Sequence, residues 1–270
     1  MLQVMKIVVC VKQVPDPEAP ASAFKVDAAT NRVVPPPGIP PVMNGFDEQA
    51  VEAALRIKDK NSAQVVVLSV GPEGAREVIK KALAMGGDEG FLVNDPALED
   101  SDAHGIAYAL AESIKKIGGC DLVLSGRQAS DWDQAQVPAG VAELLGLPCV
   151  TLAKTVSVED SAVRVQRVLP DGYEVWTAPL PAVITVSNEL GEPRYATLKG
   201  IMAAARKKVT VWSAADLALD KSRIGVAGRR VLVRKLFIPV KEGKCEVMEG
   251  DTVGAKASAL ARKLREAKLI

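Results

Sequence analysis

Aromatic residues are scarce: three Trp, three Tyr and four Phe make up 4% of the 270-residue chain. So few rings leave no stacking platform for single-stranded nucleic acid. Charge of one sign is lacking too, since 34 Lys and Arg face 33 Asp and Glu for a formal net charge of +1. That balance attracts neither a polyphosphate backbone nor an anionic membrane surface. There is one histidine, His104, and the four cysteines (Cys10, Cys120, Cys149, Cys245) lie far apart without a C-x-x-C pair. This spacing argues against a structural zinc site and a disulfide framework, and for a reducing compartment. No apolar run reaches the roughly 20 residues of a membrane span. The strand pattern begins within a few residues of Met1, which leaves no room for a signal peptide. The expected location is cytoplasmic, with no nucleic acid partner and no direct membrane insertion.

Catalytic signatures are also missing. There is no Walker loop, no G-x-G-x-x-G fingerprint and no H-E-x-x-H. Ser69, Ser125 and Ser130 have no histidine in a triad-like context, and His104 opens a predicted helix with no base or nucleophile beside it. Cys10, inside an apolar strand pattern, reads as core rather than as a nucleophile, which would need a lowered pKa.

What is present is an α/β pattern. Nearly half the residues are apolar and a quarter are charged, as in a folded globular chain. Lys6 to Lys12 and Ala63 to Val70 are continuous β-branched runs, expected of strands buried on both faces of a parallel sheet. Phe91 to Val93 and Ala182 to Val186 are two more. Helical spacing predicts helices from Asn44 to Lys58, with Asn44 as N-cap, from Glu73 to Met85 and from Asp102 to Ile117. Strands alternating with helices of about a dozen residues mean βαβ units. The expected fold is a mostly parallel Rossmann-like sheet with helices on both faces. Pro-rich residues up to Met43 hold at most a hairpin around Lys25-Val26 and Arg32-Val34. Cys149 to Val158, Ala162 to Leu169 and Gly172 to Thr177, the last two joined by Pro170-Asp-Gly172, predict an antiparallel addition. Residues 1–221 are expected to form the nucleotide-binding α/β domain, and 222–270 a C-terminal arm. In the arm, Val231 to Val240 predicts a strand and Val253 to Leu269 an amphipathic helix, which returns to its own core or reaches over a partner subunit.

The most informative stretch is Asp121 to Glu143. Leu122, Val123 and Leu124 read as a buried strand that Ser125 and Gly126 break. A polar loop with Arg127, Gln128, Asp131 and Asp133 follows. Val137, Val141, Leu144 and Leu145 then take up helical spacing. Strand, polar loop and helix form the geometry of a ligand site at the carboxyl end of a parallel sheet, where the helix start aims its free N–H groups at a phosphate. The alternative is an ordinary turn with Asp131 or Asp133 as N-cap. These two carboxylates can also pair as acid and base, or bind a ribose hydroxyl.

Five stretches in order carry a family resemblance: Val9-Cys-Val-Lys-Gln-Val-Pro-Asp16, Asn44-Gly-Phe-Asp47, Ala82-Leu-Ala-Met-Gly-Gly-Asp88, Gly126 to Val137, and Glu192-Pro-Arg-Tyr-Ala-Thr-Leu-Lys-Gly-Ile-Met202. Over nearly its whole length the chain resembles the β subunit of electron transfer flavoproteins. The resemblance implies an electron-carrier subunit, not an independent enzyme, in a heterodimer whose α subunit holds FAD. It implies a β site for an adenine nucleotide, AMP or a second FAD, lined by Cys10, Asn44, Gly45, Phe46, Asp47, Val70 and residues of the Leu122 to Val137 loop. Among these, amides of Gln134, Ala135, Gln136 and Val137 would hold phosphate, and backbone groups near Cys10 and Leu122 to Leu124 would read the adenine. It also implies a recognition loop at about 188–208, with Arg194, Tyr195, Leu198, Ile201 and Met202 docking an acyl-CoA-type dehydrogenase or a quinone- or ferredoxin-linked oxidoreductase. Without the resemblance, Leu198 reads rather as a core residue in a local turn. Arg127, Asp131, Asp133 and Ala135-Gln-Val137 resemble the electron-bifurcating pattern D-G-D-T-A-Q-V-G-P, with possible NADH oxidation only in the heterodimer. Trp132, Gln134 and Pro138-Ala139 depart from that pattern, and Ala203 to Lys208 departs from the lysine-rich run of housekeeping members. The reading favours FAD. Two rivals are a nucleotide-hydrolysing or adenylating α/β enzyme, which needs a Gly-rich loop where Lys12 to Asp16 stands, and a nucleotide-sensing module without flavin.

Overall fold

The β-branched runs of the sequence come together as the middle of one sheet. A computed structural model describes residues 4–239, 243 and 245–270. Among them the chain passes through β1 (Met5–Cys10), β2 (Gln13–Val14), β3 (Lys25–Asp27), β4 (Arg32–Val34), β5 (Val42–Met43), α1 (Gly45–Lys58) and β6 (Ala63–Val70). Next come α2 (Arg76–Met85), β7 (Glu89–Val93), α3 (Ala103–Lys116), β8 (Leu122–Gly126), α4 (Val137–Leu145), β9 (Cys149–Glu159), β10 (Ala162–Leu169) and β11 (Gly172–Pro179). The chain ends with β12 (Ala182–Val186), α5 (Leu198–Arg206), β13 (Val209–Trp212), α6 (Gly225–Gly228) and α7 (Val253–Glu266).

The main sheet has the order β11-β10-β9-β12-β8-β1-β6-β7-β13. Strands β9 to β13 in that order pair in parallel, while β10 and β11 are added antiparallel, as the turn at Pro170-Asp-Gly172 predicts. Successive side chains of the central strands go to opposite cores. Ile7, Val9, Leu122, Leu124 and Ile184 pack under α1 and α2, and Val8, Val123 and Val183 pack under α3 and α4. Each fully buried aliphatic side chain contributes about 1.5–3 kcal/mol, which is why these strands must be apolar on both faces.

From β1 the chain builds outward to β6 and β7, then returns to place β8 on the other side of β1. The strand order therefore reverses between β1 and β8, and their carboxyl ends frame the crevice where open α/β sheets take ligands.

Two elements lie where the sequence has no clear period. Helix α5 begins at Leu198, with the Thr197 hydroxyl accepting from the Gly200 amide at 3.0 Å, and β13 adds the far edge strand beside β7. The expected strand from Val231 to Val240 does not form: residues 231–239 pair with no strand, and Val240 lies outside the described residues. A β-branched run makes a strand only where an edge receives it. Here the run follows the surface, with the amides of Arg230 and Val231 on the Asp102 carboxylate and the Asn31 side chain bonded to Val233 and Leu236. Packing in the α3-side core continues to Ile224, just past the 221/222 boundary read from the sequence. The helix predicted from Val253 forms as α7, and none of its residues is buried. Among the described residues, no helix is long and apolar enough to cross a membrane.

Candidate functional site

Asp47 is in the first turn of α1 and is 5% exposed. One carboxylate oxygen accepts from the Lys12 amide at 2.7 Å, and the other from the Gly126 amide at 3.0 Å. A single side chain thus ties the loop after β1 to the last residue of β8. Gly126 permits the approach, because a Cβ there would lie 2.5 Å from the Asp47 carboxylate and 2.6 Å from the Phe46 Cβ. Ser125 and Gly126 therefore finish the strand instead of breaking it. Burial pushes the Asp47 carboxyl up to about 7, while the Lys12 amide, Asn44, the Gly126 amide and the Lys12 charge all pull it down.

Asn44 holds the N-cap position of α1 but makes no side-chain cap. Its Nδ2 donates to the Gln128 carbonyl at 2.8 Å, its Oδ1 accepts from the Ser130 amide at 3.2 Å, and its amide donates to the Lys12 carbonyl at 3.0 Å. The side chain that would cap the helix instead clasps the loop following β8.

That loop is tied within itself as well. Lys12 Nζ donates to both oxygens of Asp131, at 2.8 and 2.7 Å. Gln128 Nε2 donates to Asp133 at 2.8 Å, and the Arg127 guanidinium stands 5.6 Å from the Phe46 ring centre. Neither Asp131 nor Asp133 caps α4, since each is bonded to another side chain. The residue preceding α4 is Gln136, and it supplies no side-chain cap. Just before it, Asp133 (φ 49°) and Ala135 (φ 53°) are left-handed. For residues with a Cβ this costs roughly 1–2 kcal/mol each. A left-handed Ala135 followed by right-handed Gln136 is the kind of backbone pairing that forms an anion-binding nest, here at the positive end of a helix.

The remaining expected residues fall around this crevice. Gly45 and Phe46 open α1, Val137 opens α4, and Cys10 and Val70 are partly buried at the ends of β1 and β6. Burial, reinforced by the Asp47 charge, pushes the Cys10 thiol far up, so it stays protonated and unreactive. Leu122, Val123 and Leu124 are at most 1% exposed, and β8 is paired by β1 on one side and β12 on the other. They lead to Gly126 at the carboxyl end of β8. Lys12, which the sequence reading passed over as a candidate, joins this group through its ion pair with Asp131. The donor set suits an anion such as a phosphate, with an uncapped helix start at α4 and two cations, Lys12 (paired with Asp131) and Arg127, on the adjoining loops.

The 188–208 segment presents a second arrangement. Tyr195 is 92% exposed and Leu198 76%, with Ile201 and Met202 exposed beside them on α5, so Leu198 is not a core residue. Arg194, expected among the docking residues, is partly exposed beside them, and its guanidinium donates to Glu52 at 2.8 Å and Asp59 at 2.7 Å.

A family profile described as "Electron transfer flavoprotein domain" matches residues 38–217, a span that holds Asn44, Asp47, the 126–137 loop and the exposed segment. Similar proteins extend the match to the ends of the chain. The caffeyl-CoA reductase-Etf complex subunit CarD of Acetobacterium woodii is 39% identical over 98% of this chain and 100% of its own length. The electron transfer flavoprotein subunit beta of Megasphaera elsdenii is 38% identical over 98% of this chain and 100% of its own. Protein FixA of Azorhizobium caulinodans is 34% identical over 98% and 96%.

Proposed function

The chain belongs to the electron transfer flavoprotein family as a β subunit, and we propose that its β1/β8 crevice holds an adenine nucleotide, FAD rather than AMP. The observation that carries this reading is the join made by Asp47. It fixes the ends of two strands so that the 126–137 loop offers its amides, and the start of α4, to a phosphate. AMP and FAD share that phosphate and adenine, so AMP is the alternative occupant. The preference for FAD rests on the Arg127, Asp131, Asp133 and Ala135-Gln-Val137 pattern. A flavin bound there would supply electron acceptance and donation, including from NADH if the heterodimer bifurcates electrons. The residues of this chain bind, orient and dock.

Two partners are part of the proposal. The α subunit receives the 222–270 arm, whose helix α7 buries nothing against its own chain. An acyl-CoA-type dehydrogenase, or a quinone- or ferredoxin-linked oxidoreductase, meets Tyr195, Leu198, Ile201 and Met202, an apolar anchor of the kind that dominates a small transient interface. The test is co-expression with an α subunit, then acid release and chromatography of the bound nucleotides. Two FAD per heterodimer supports the reading, while one FAD with one AMP moves the crevice to AMP. A heterodimer with no nucleotide beyond the α-subunit FAD rejects the crevice assignment, and no heterodimer or flavin at all favours a nucleotide-sensing module.

A further inference from the structure

We infer that Glu52 is a positioning residue for partner docking: buried on α1, it presets the place of the exposed 195–202 segment without itself touching partner or nucleotide. The inference rests on the docking reading above.

The Glu52 side chain is 5% exposed. Its carboxylate accepts from Arg56 Nε at 2.7 Å, Arg194 Nε at 2.8 Å and the Arg194 amide at 3.1 Å. Arg56 also donates to the carbonyls of Leu190 (3.0 Å) and Glu192 (3.3 Å), and Arg194 to Asp59 (2.7 Å). The approach to the docking segment is thus fastened at residues 190, 192 and 194 to one helix, with the single buried carboxylate at the centre. Burial raises the Glu52 acid, and hydrogen bonds from Arg194 and Arg56 more than reverse that, so the group is held ionised below the usual carboxylate range. A buried charge tolerates this only while its partners stay in place, which makes the junction rigid.

The far end of the segment is fastened separately, on α2. Lys80 Nζ donates to the carbonyls of Ala204 (2.7 Å), Ala205 (3.2 Å) and Lys207, and Lys207 Nζ donates to the Gly87 carbonyl. Gly200 lies so close to the Ala84 carbonyl that a Cβ would overlap it. Between two fixed ends, Tyr195, Leu198, Ile201 and Met202 are held facing solvent. Left loose, apolar side chains of this size would fold back on the surface. Held in place, they arrive at an interface with their ordering cost already met.

The experiment compares wild type with Glu52→Gln in the full heterodimer, by amide hydrogen exchange and by electron-transfer kinetics with an acyl-CoA-type dehydrogenase. Exchange across 190–202 is expected to rise about tenfold, with 44–47 and 126–137 unchanged. KM for the carrier should rise by a similar factor while kcat holds, as for a lost docking interaction. Unchanged exchange over 190–202 overturns the inference, as does a looser segment with an unchanged KM. If Glu52→Gln fails to assemble, Arg56→Lys keeps the charge, gives up the carbonyl contacts at 190 and 192, and is judged by the same two readouts. Leu198→Ala isolates the docking reading itself, because it should raise KM without loosening 190–194. If that variant leaves KM unchanged, docking at 195–202 is wrong, and exchange in Glu52→Gln still decides whether Glu52 holds the segment.

Discussion

The sheet body and the C-terminal arm meet their physical obligations in opposite ways. In the body, β1, β8 and β12 bury both faces, and even the polar crevice is tied down by Asn44, Asp47 and Lys12. In the arm, Phe237 and Ile238 are exposed, and α7 has no buried residue along its 14-residue length. Charge divides along the same line. Residues 222–270 carry twelve Lys and Arg against five Asp and Glu, a net of +7, leaving 22 against 28, a net of −6, on the first 221. The near-zero total thus conceals a basic extension on an acidic body. The body's sequence answers to its own fold, whereas the arm's apolar, basic sequence buries little against it.

The largest effect expected from breaking this contrast is on assembly. Removing residues 239–270 should abolish heterodimer formation by size-exclusion chromatography, yet shift the urea unfolding free energy of the isolated β chain by less than about 1 kcal/mol, because little is buried against the body. Retained assembly would place the arm's role elsewhere. Asp47→Ala strikes the body instead. It strips acceptors from the Lys12 and Gly126 amides at about 1–3 kcal/mol each, so a loss of about 4 kcal/mol in chemical denaturation is expected, together with loss of bound nucleotide. Gly126→Ala should cost about 3 kcal/mol, since the added methyl overlaps Phe46 and Asp47 and the backbone must move.

A pH profile sharpens the comparison further. The folded Asp47 carboxyl titrates near 7 and the unfolded one near 3.8. Its contribution to stability is therefore present below about 4 and is lost as the pH rises through 7. Wild type should lose more stability than Asp47→Asn between pH 5 and 8, and parallel profiles would show that Asp47 is ionised throughout. The smallest effect is at Ala135. Replacing it with Gly relieves the left-handed strain less the entropy of glycine, for a gain of about 0.5 kcal/mol in Tm-derived stability.

Much of the body was legible because its signals are local. β12 lies where its apolar run predicts, Ala182–Val186, and α1 ends at Lys58 as its spacing does. Gly126 was visible as a residue but not its reason, which depends on Phe46 and Asp47 eighty residues earlier. Glu52 was invisible for the same cause, since its partner Arg194 is 142 residues away and nothing local marks a mid-helix glutamate as a junction. α5 escaped because its apolar face points outward, so its residues read as a mixed loop. Leu122 to Leu124 were legible as a buried strand from their apolar run alone, and β8 is paired on both sides.

The most direct test of the central claim is an experimental density map of the nucleotide-loaded heterodimer. The account predicts the nucleotide phosphate against the amides of Gln134 to Val137 at the start of α4, beside the Asp47 join. A phosphate bound anywhere else on the β subunit, with those amides left facing solvent, would contradict it.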